Sequence, residues 1–222
     1  MDAIVIFVKY PIPGKVKTRL GRQIGLQKAA DLYSIFVSLT IKLAEFCKID
    51  RIFIAFEPAE RKKEFIKWLP AMHLFPQRGE NLGERLIHAI KTVFEEGFTK
   101  TVILGSDSPT LPFNYVKEAF DLLNTHDLVI GPARDGGYYL IGLNKPQPSL
   151  FKNIHWSTSR VLHQTLEKAK QLHLKYYLLP EWYDVDTKED LLRAARDDSS
   201  GEIKDYLQKH CPEVLQNYET GG

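Results

Sequence analysis

The chain has two cysteines in 222 residues, Cys47 and Cys211, far apart and outside any CxxC pair. That excludes a disulfide framework and a CxxC metal site, and it suits a reducing compartment. No apolar run approaches the roughly 20 residues of a membrane helix, so membrane insertion is not expected. Charge of one sign is lacking as well: 30 basic residues face 28 acidic ones, for a net +2. A partner that is a nucleic-acid polymer is therefore not implied, and any positive field must be local. The seven histidines show no HExxH or similar ligand spacing. Met1–Val8 begins with an acid and has no basic leader, so it reads as a first strand and not a signal peptide. A cytoplasmic location is the expectation.

A hydrophobic content of 44% is enough to bury a full core. Apolar runs rich in β-branched residues alternate with helical periodicity. Strands are expected at Ala3–Val8, Arg51–Phe56, Met72–Phe75, Thr101–Leu104, Leu128–Gly131, Tyr138–Leu143 and Lys175–Leu179. Helices are expected at Leu26–Phe46, Ala59–Leu69 behind Pro58, Leu82–Phe94, Phe113–Leu123, from a Ser157, Thr158 or Ser159 cap to about Leu172, and Lys188–Ala195. Thr187 and Asp190 are spaced as a capping box for the last of these. Such alternation predicts a mostly parallel sheet covered on both faces. The Leu128–Leu143 pair is too close in sequence for a crossover helix, so an antiparallel element near the sheet edge is expected. No repeat or linker divides the chain. One domain over 1–222 is expected, with a tail over 198–222 that holds a short helix near Ile203–Gln208 and a disordered Thr220–Gly222 end.

Asp107 is the focus of the candidate chemistry. Thr101–Leu104 runs out into Gly105-Ser106-Asp107-Ser108-Pro109, and ligands of open α/β sheets bind at the carboxyl ends of strands. A lone acid there suits metal or substrate ligation; the alternative is an Asx turn or a helix cap. The segment Lys9–Arg22 leaves the first strand as a loop and carries Lys15, Lys17, Arg19 and Arg22. It matches neither GxxxxGK[ST] nor GxGxxG, yet cations at that place can neutralise phosphates. The alternative is a solvated basic turn. In Asp184-Val185-Asp186 the two carboxylates share one side of an extended segment. They repel unless a cation lies between them; otherwise Asp184 is a surface residue and Asp186 helps to cap a helix. In Arg134-Asp135-Gly136-Gly137-Tyr138-Tyr139, either the glycines make a plain hairpin turn or they let backbone approach a ligand while Asp135 holds a hydroxyl or acts as a base. His155–Arg160 is either an N-cap with a buried Trp156 or part of an acceptor site.

Taken together, PIPGKVKTRL, NLGERL, GSDSPTLP, GPARDGGYYLIGL, HWSTSRVL and YDVDTKEDL span about Ile4 to Leu191. This set resembles the bacterial transferases associated with radical-SAM and selenoprotein clusters, in the nucleotide-diphospho-sugar transferase superfamily. More distantly it is similar to the molybdenum-cofactor and phospholactate guanylyltransferases. The resemblance implies a three-layer α/β/α GT-A fold with a mostly parallel mixed sheet. It implies that Asp107 binds metal and that Asp186 is the second acidic ligand, with Asp184 as its competitor. Gly14, Lys15, Lys17 and Arg19 would hold donor phosphates, and Asn81 to Arg85 would lie near the nucleotide. Gly136, Gly137 and Tyr138, with Trp156, Ser157 and Thr158, would form the acceptor side. Arg134 departs from the pattern, which has an acid before Asp135.

The expected function is a transfer dependent on Mg²⁺ (or Mn²⁺), with Asp107, Asp135 and Lys17 as catalytic residues. The donor would be a nucleotide-sugar or a nucleoside triphosphate, and the acceptor a small molecule. Glycosyl transfer stands first, since the resembling family leans that way. Nucleotidyl transfer stands second, because the basic loop suits a triphosphate. A regulatory nucleotide-binding protein is the third possibility, and degraded acidic ligands would mark it; Asp107, Asp184 and Asp186 are all present.

Overall fold

The computed structural model describes residues 1–219, and the Thr220–Gly222 end lies outside them. Its strands are β1 (Asp2–Lys9), β2 (Arg51–Glu57), β3 (His73–Pro76), β4 (Lys100–Gly105), β5 (Leu128–Pro132), β6 (Tyr138–Leu143) and β7 (Tyr176–Leu178). The helices are α1 (Thr18–Ile24), α2 (Leu26–Phe46), α3 (Lys62–Trp68), α4 (Leu82–Glu95), α5 (Phe113–Leu122), α6 (Val161–Gln171), α7 (Lys188–Asp197), α8 (Glu202–His210) and α9 (Pro212–Glu219). All seven strands form one sheet in the order β3-β2-β1-β4-β6-β5-β7. Only β6 runs antiparallel to its neighbours.

Alternation along the strands makes this a three-layer structure. Ile4, Ile6 and Val8 face one helical layer, which includes α2, α5 and α7. Ala3 and Val5 face the other, built on α4 and α6. Successive side chains of a strand point to opposite faces, and both faces here are covered. That is why β1 reads as a continuous apolar run. Among the described residues no helix is long and apolar enough to cross a membrane.

Four local expectations are corrected. The segment after Lys17 is not a loop, because Thr18–Ile24 forms a helix. Val16, Leu20 and Ile24 are buried at four-residue spacing, but their pattern is masked by the surrounding cations. The Ala59–Leu69 helix is split into a tight 3-10 turn at Ala59–Arg61 and α3, since Arg61 leaves helical geometry at ψ 23°. The antiparallel strand is not near the edge: β6 lies inside the sheet, with β5 and β7 beyond it. Helix α6 is not capped by Ser157, Thr158 or Ser159. Ser157 has φ +63°, the Thr158 hydroxyl donates to the His155 carbonyl at 2.7 Å, and the helix starts only at Val161.

The turn between β5 and β6 behaves as its glycines suggest. Gly136 has φ +88°, and a Cβ there would lie 2.2 Å from the Ser159 carbonyl oxygen. Its own carbonyl accepts from Leu162 N at 2.9 Å, which fixes the turn against the start of α6. Gly136→Ala is expected to destabilise the protein by about 1–3 kcal/mol through strain and overlap. Urea denaturation checks this; an unchanged midpoint would show that the turn yields freely.

Candidate functional site

The carboxyl ends of β1, β2 and β4 open onto a cleft of about 700 Å³, within the range of small-molecule sites. Its base is tied together by a buried network. Lys9 N donates to the Tyr33 hydroxyl at 2.9 Å, and that hydroxyl lies 2.8 Å from Ser106 Oγ. Ser106 in turn donates to the Phe7 carbonyl at 3.0 Å. The exits of β1 and β4 are thus held side by side against α2.

Asp107 projects from the β4 exit with half of its side-chain surface open. It is not a helix cap, because α5 starts behind Pro112 with no side-chain cap. The Asp107 carbonyl accepts from Val185 N at 2.9 Å, which docks the Asp184–Asp186 segment beside it. Val185 is fully buried while Asp184 and Asp186 both line the cleft, as their two-residue spacing requires. Thr187 and Asp190 form a complete capping box on α7. Capping is therefore done by other residues, and the Asp186 carboxylate faces the cleft.

Lys17 meets these acids. Its ammonium contacts Asp107 Oδ1 and lies 3.2 Å from Asp186 Oδ1. Its side chain is only 2% exposed, with Nζ 5.9 Å from the ring centre of Phe36. Burial works to lower its pKa, but the Asp107 and Asp186 charges overcome this and hold it well above the ordinary lysine value. Burial likewise works to raise the Asp107 carboxyl, yet the Lys17 charge holds it below the ordinary range. Asp184 has no such contact. Burial and the nearby Asp107 charge push it up to about 6, against a 2.6 Å hydrogen bond donated by Ser108 Oγ.

Around this centre the sequence candidates divide. Lys15, Lys17, Arg19, Asn81, Arg85, Tyr138, Trp156 and Ser157 line the cleft with the three aspartates. Arg19 lies 4.0 Å from Asp186 Oδ2 and is 78% exposed, so its guanidinium is available to a ligand. Arg85 is already paired with Glu57 and donates to the Gly79 carbonyl at 3.2 Å. The Asn81 side chain caps α4 by accepting from Glu84 N. Trp156 closes the far wall, held close because Gly83 has no side chain: a Cβ there would lie 2.7 Å from the indole Nε1. Gly14, Asp135, Gly136, Gly137 and Thr158 do not line the cleft. The Asp135 carboxylate accepts from Gly137 N at 2.9 Å and so stabilises its own turn.

Sequence reasoning passed over Glu57, Gln77, Tyr33 and Ser108. Glu57 ends β2, so the strand-exit argument that picked Asp107 would also have found it. Tyr33 carried no such signal, since it sits in the apolar stripe of α2. For a divalent cation, the hard carboxylate oxygens of Asp107 and Asp186 suit the chemistry, and the Lys17 ammonium already stands between them as a cation. Among the described residues no group of three or more His, Cys, Asp or Glu is placed to hold a metal unaided. A metal here would need oxygen ligands from substrate or water.

Comparison with known proteins places the chain. The model of the family described as "Uncharacterized protein conserved in bacteria (DUF2064)" matches residues 40–158, more than half of the chain. The chain belongs to the DUF2064 family. A crystal structure from Desulfovibrio desulfuricans G20, described as a candidate nucleotide-diphospho-sugar transferase, is similar at 38% identity and a TM-score of 0.89, covering 97% of both chains. The 2-phospho-L-lactate guanylyltransferase of Methanocaldococcus jannaschii is 30% identical over 141 residues, 62% of this chain and 61% of that protein. The match thus spans about three fifths of the length of that curated relative. A nucleotidyl transfer enzyme from Methanothermobacter shares the fold, with a TM-score of 0.59 at 13% identity over 94% of this chain and 99% of that one.

The raised pKa of Asp184 has a consequence for stability. Its proton is held more tightly in the folded than in the unfolded chain, so folding weakens as pH rises from about 4 to about 6. Asp184→Asn keeps the acceptor for Ser108 and removes this slope. The variant is expected to gain about 1–3 kcal/mol over the natural protein at pH 7 and nothing at pH 4. Thermal melts across that range check it; an advantage at pH 4 that vanished at pH 7 would contradict it.

Proposed function

We propose that the chain is a nucleotidyltransferase, moving a nucleoside monophosphate from a nucleoside triphosphate to a small acceptor in the cleft. The observation that carries this reading is the cluster at the β1 exit: Lys15, Lys17 and Arg19 line one cleft with Asp107 and Asp186, and Lys17 touches both acids. Three cations suit the charge of a triphosphate, and two carboxylates suit a divalent ion shared with it. The guanylyltransferase relative supports the same class of transfer.

In this reading Lys15 and Arg19 bind the β- and γ-phosphates and orient the α-phosphorus. Asp107 and Asp186 would hold Mg²⁺ or Mn²⁺, which when bound supplies positive charge to the phosphate oxygens. The acceptor rests against Tyr138, Trp156 and Ser157. Its oxygen forms a bond to the α-phosphorus, the bond to the bridging oxygen breaks, and pyrophosphate leaves between the cations. The acceptor proton, if it has one, passes to solvent or to a carboxylate at the cleft. Asp135, which lies outside the cleft lining, is assigned no proton transfer.

Glycosyl transfer is the second reading, favoured by the Desulfovibrio structure and its description. The same site would then hold a nucleotide-sugar, the acceptor would attack the sugar carbon, and a nucleoside diphosphate would leave. A place among transferases linked to radical-SAM and selenoprotein clusters, a cytoplasmic setting and a small acceptor belong to the proposal in either form.

Two outcomes check it. Incubation with Mg²⁺, each nucleoside triphosphate and a panel of small alcohols and phosphate esters is expected to release pyrophosphate. Release of a nucleoside diphosphate from a nucleotide-sugar, with no pyrophosphate from any triphosphate, would favour sugar transfer instead. Asp107→Asn is expected to lower kcat by about 100-fold or more while the far-UV circular dichroism stays unchanged. Full activity in that variant would remove Asp107 from the reaction.

A further inference from the structure

The acids at the centre of the cleft are not waiting for a cation; one is already supplied by the chain. Lys17 is a buried residue at the junction between the β1 exit and α1, and its ammonium touches Asp107 and Asp186 together. Three features show that this placement is built into the fold. The Lys17 backbone adopts the left-handed region, φ 45° and ψ 45°, which is rare and costly for a residue with a side chain. Its carbonyl is fixed by Gly21 N at 2.7 Å, while Val16 and Leu20 on either side are buried in the core. Its side chain, at the wall of the cleft, is only 2% exposed, whereas nearby Arg19 is 78% exposed. Arg19 is exposed and holds Asp186 only at 4.0 Å, so it can meet a phosphate at little cost; Lys17 must give up two closer acid contacts.

We infer that Lys17 is a resident cation that keeps Asp107 and Asp186 from taking up a free divalent ion, so that the protein acquires its metal only together with nucleotide phosphates. This rests on the reading of the cleft as a nucleotide site. The physical reason is charge. An ammonium in contact with both carboxylates cancels half of their combined charge, and a second cation placed among the same oxygens is repelled at short range. Lys17 yields those oxygens only when its ammonium gains other acceptors. The phosphate oxygens of a nucleotide are such acceptors, and Lys15 and Arg19 stand on the same cleft to draw them in. Lys17 is thus a positioning residue for the metal ligands as well as a phosphate ligand. Order of binding follows from it.

Mn²⁺ binding to the whole protein at pH 7.5 tests the inference, read by the loss of the free-ion electron paramagnetic resonance signal. Three samples are compared: the natural protein, the natural protein with a non-hydrolysable nucleoside triphosphate analogue, and Lys17→Met, which keeps the length of the stem without its charge. The natural protein alone is expected to bind Mn²⁺ weakly. Lys17→Met is expected to bind it at least about tenfold more tightly without nucleotide, a change of about 1.4 kcal/mol. Equal affinity in the natural protein and the variant, whether both are weak or both tight, would overturn the inference. If circular dichroism shows that Lys17→Met does not fold, the natural protein decides. Mn²⁺ affinity that is the same with and without the analogue overturns the inference, and at least about tenfold tightening beyond the Mn²⁺ that the analogue binds in a protein-free control upholds it. A thermal shift with the analogue alone is read separately. Failure of any nucleotide to bind removes the nucleotide reading, and the comparison of Lys17→Met with the natural protein still decides whether Lys17 guards the carboxylates.

Discussion

The contact of the Lys17 ammonium with Asp107 and Asp186 joins three segments that are distant in sequence. One leaves β1, one leaves β4, and the third leads into α7. The lysine brings a charge that its burial alone would disfavour, and the two acids are half open to solvent. The shared ammonium offsets the repulsion between the two acids, and the two acids offset the cost of burying the lysine. The rest of the cleft is arranged around that mutual compensation. Tyr33 and Ser106 fix the β1 and β4 exits, Val185 pins the third segment to the Asp107 carbonyl, and the capping box on α7 leaves Asp186 to face inward.

Much of this was legible in the sequence. The parallel sheet followed from apolar runs alternating with helical periodicity, and Asp107 stood out because a single acid at a buried strand exit is a poor packing residue. Asp184 and Asp186 declared a shared face through their spacing. What stayed hidden was hidden for physical reasons. Helix α1 lies in a stretch where Val16, Leu20 and Ile24 supply the inward face and cations supply the rest, so charge obscured periodicity. The place of β6 inside the sheet depends on which strand pairs with β4, and local sequence does not encode that pairing. The hydroxyls near Trp156 looked like a helix cap, but Thr158 closes its own turn onto the His155 carbonyl. The glycines of the Asp135 turn were ambiguous between ligand approach and turn geometry. Gly136 has both a positive φ and Ser159 against it, and turn geometry accounts for it fully.

The relatives and the geometry bear on different parts of the account. Membership in DUF2064 and the close match to the Desulfovibrio structure establish the architecture and its kinship. They leave the broken bond open, because one fold supports transfer at phosphorus and at sugar carbon. The cleft speaks to what is held. Lys15, Lys17 and Arg19 reach the cleft from the segment after β1, Asp107 from the β4 exit, and Trp156 and Ser157 from the segment before α6. A ligand with a phosphate chain at one end and an acceptor at the other fits that set of groups.

The central claim is that the phosphates of a nucleotide enter between the β1 exit and the acids of β4 and the α7 approach. A crystal structure of the protein grown with a nucleoside triphosphate analogue and Mn²⁺, with anomalous scattering recorded, tests it most directly. The account predicts an anomalous peak bridging Asp107 and Asp186, phosphate density against Lys15 and Arg19, and Lys17 turned from the carboxylates toward phosphate oxygen. Nucleotide bound elsewhere, or bound in the cleft with Lys17 still seated between the two aspartates and no metal peak beside them, would contradict it.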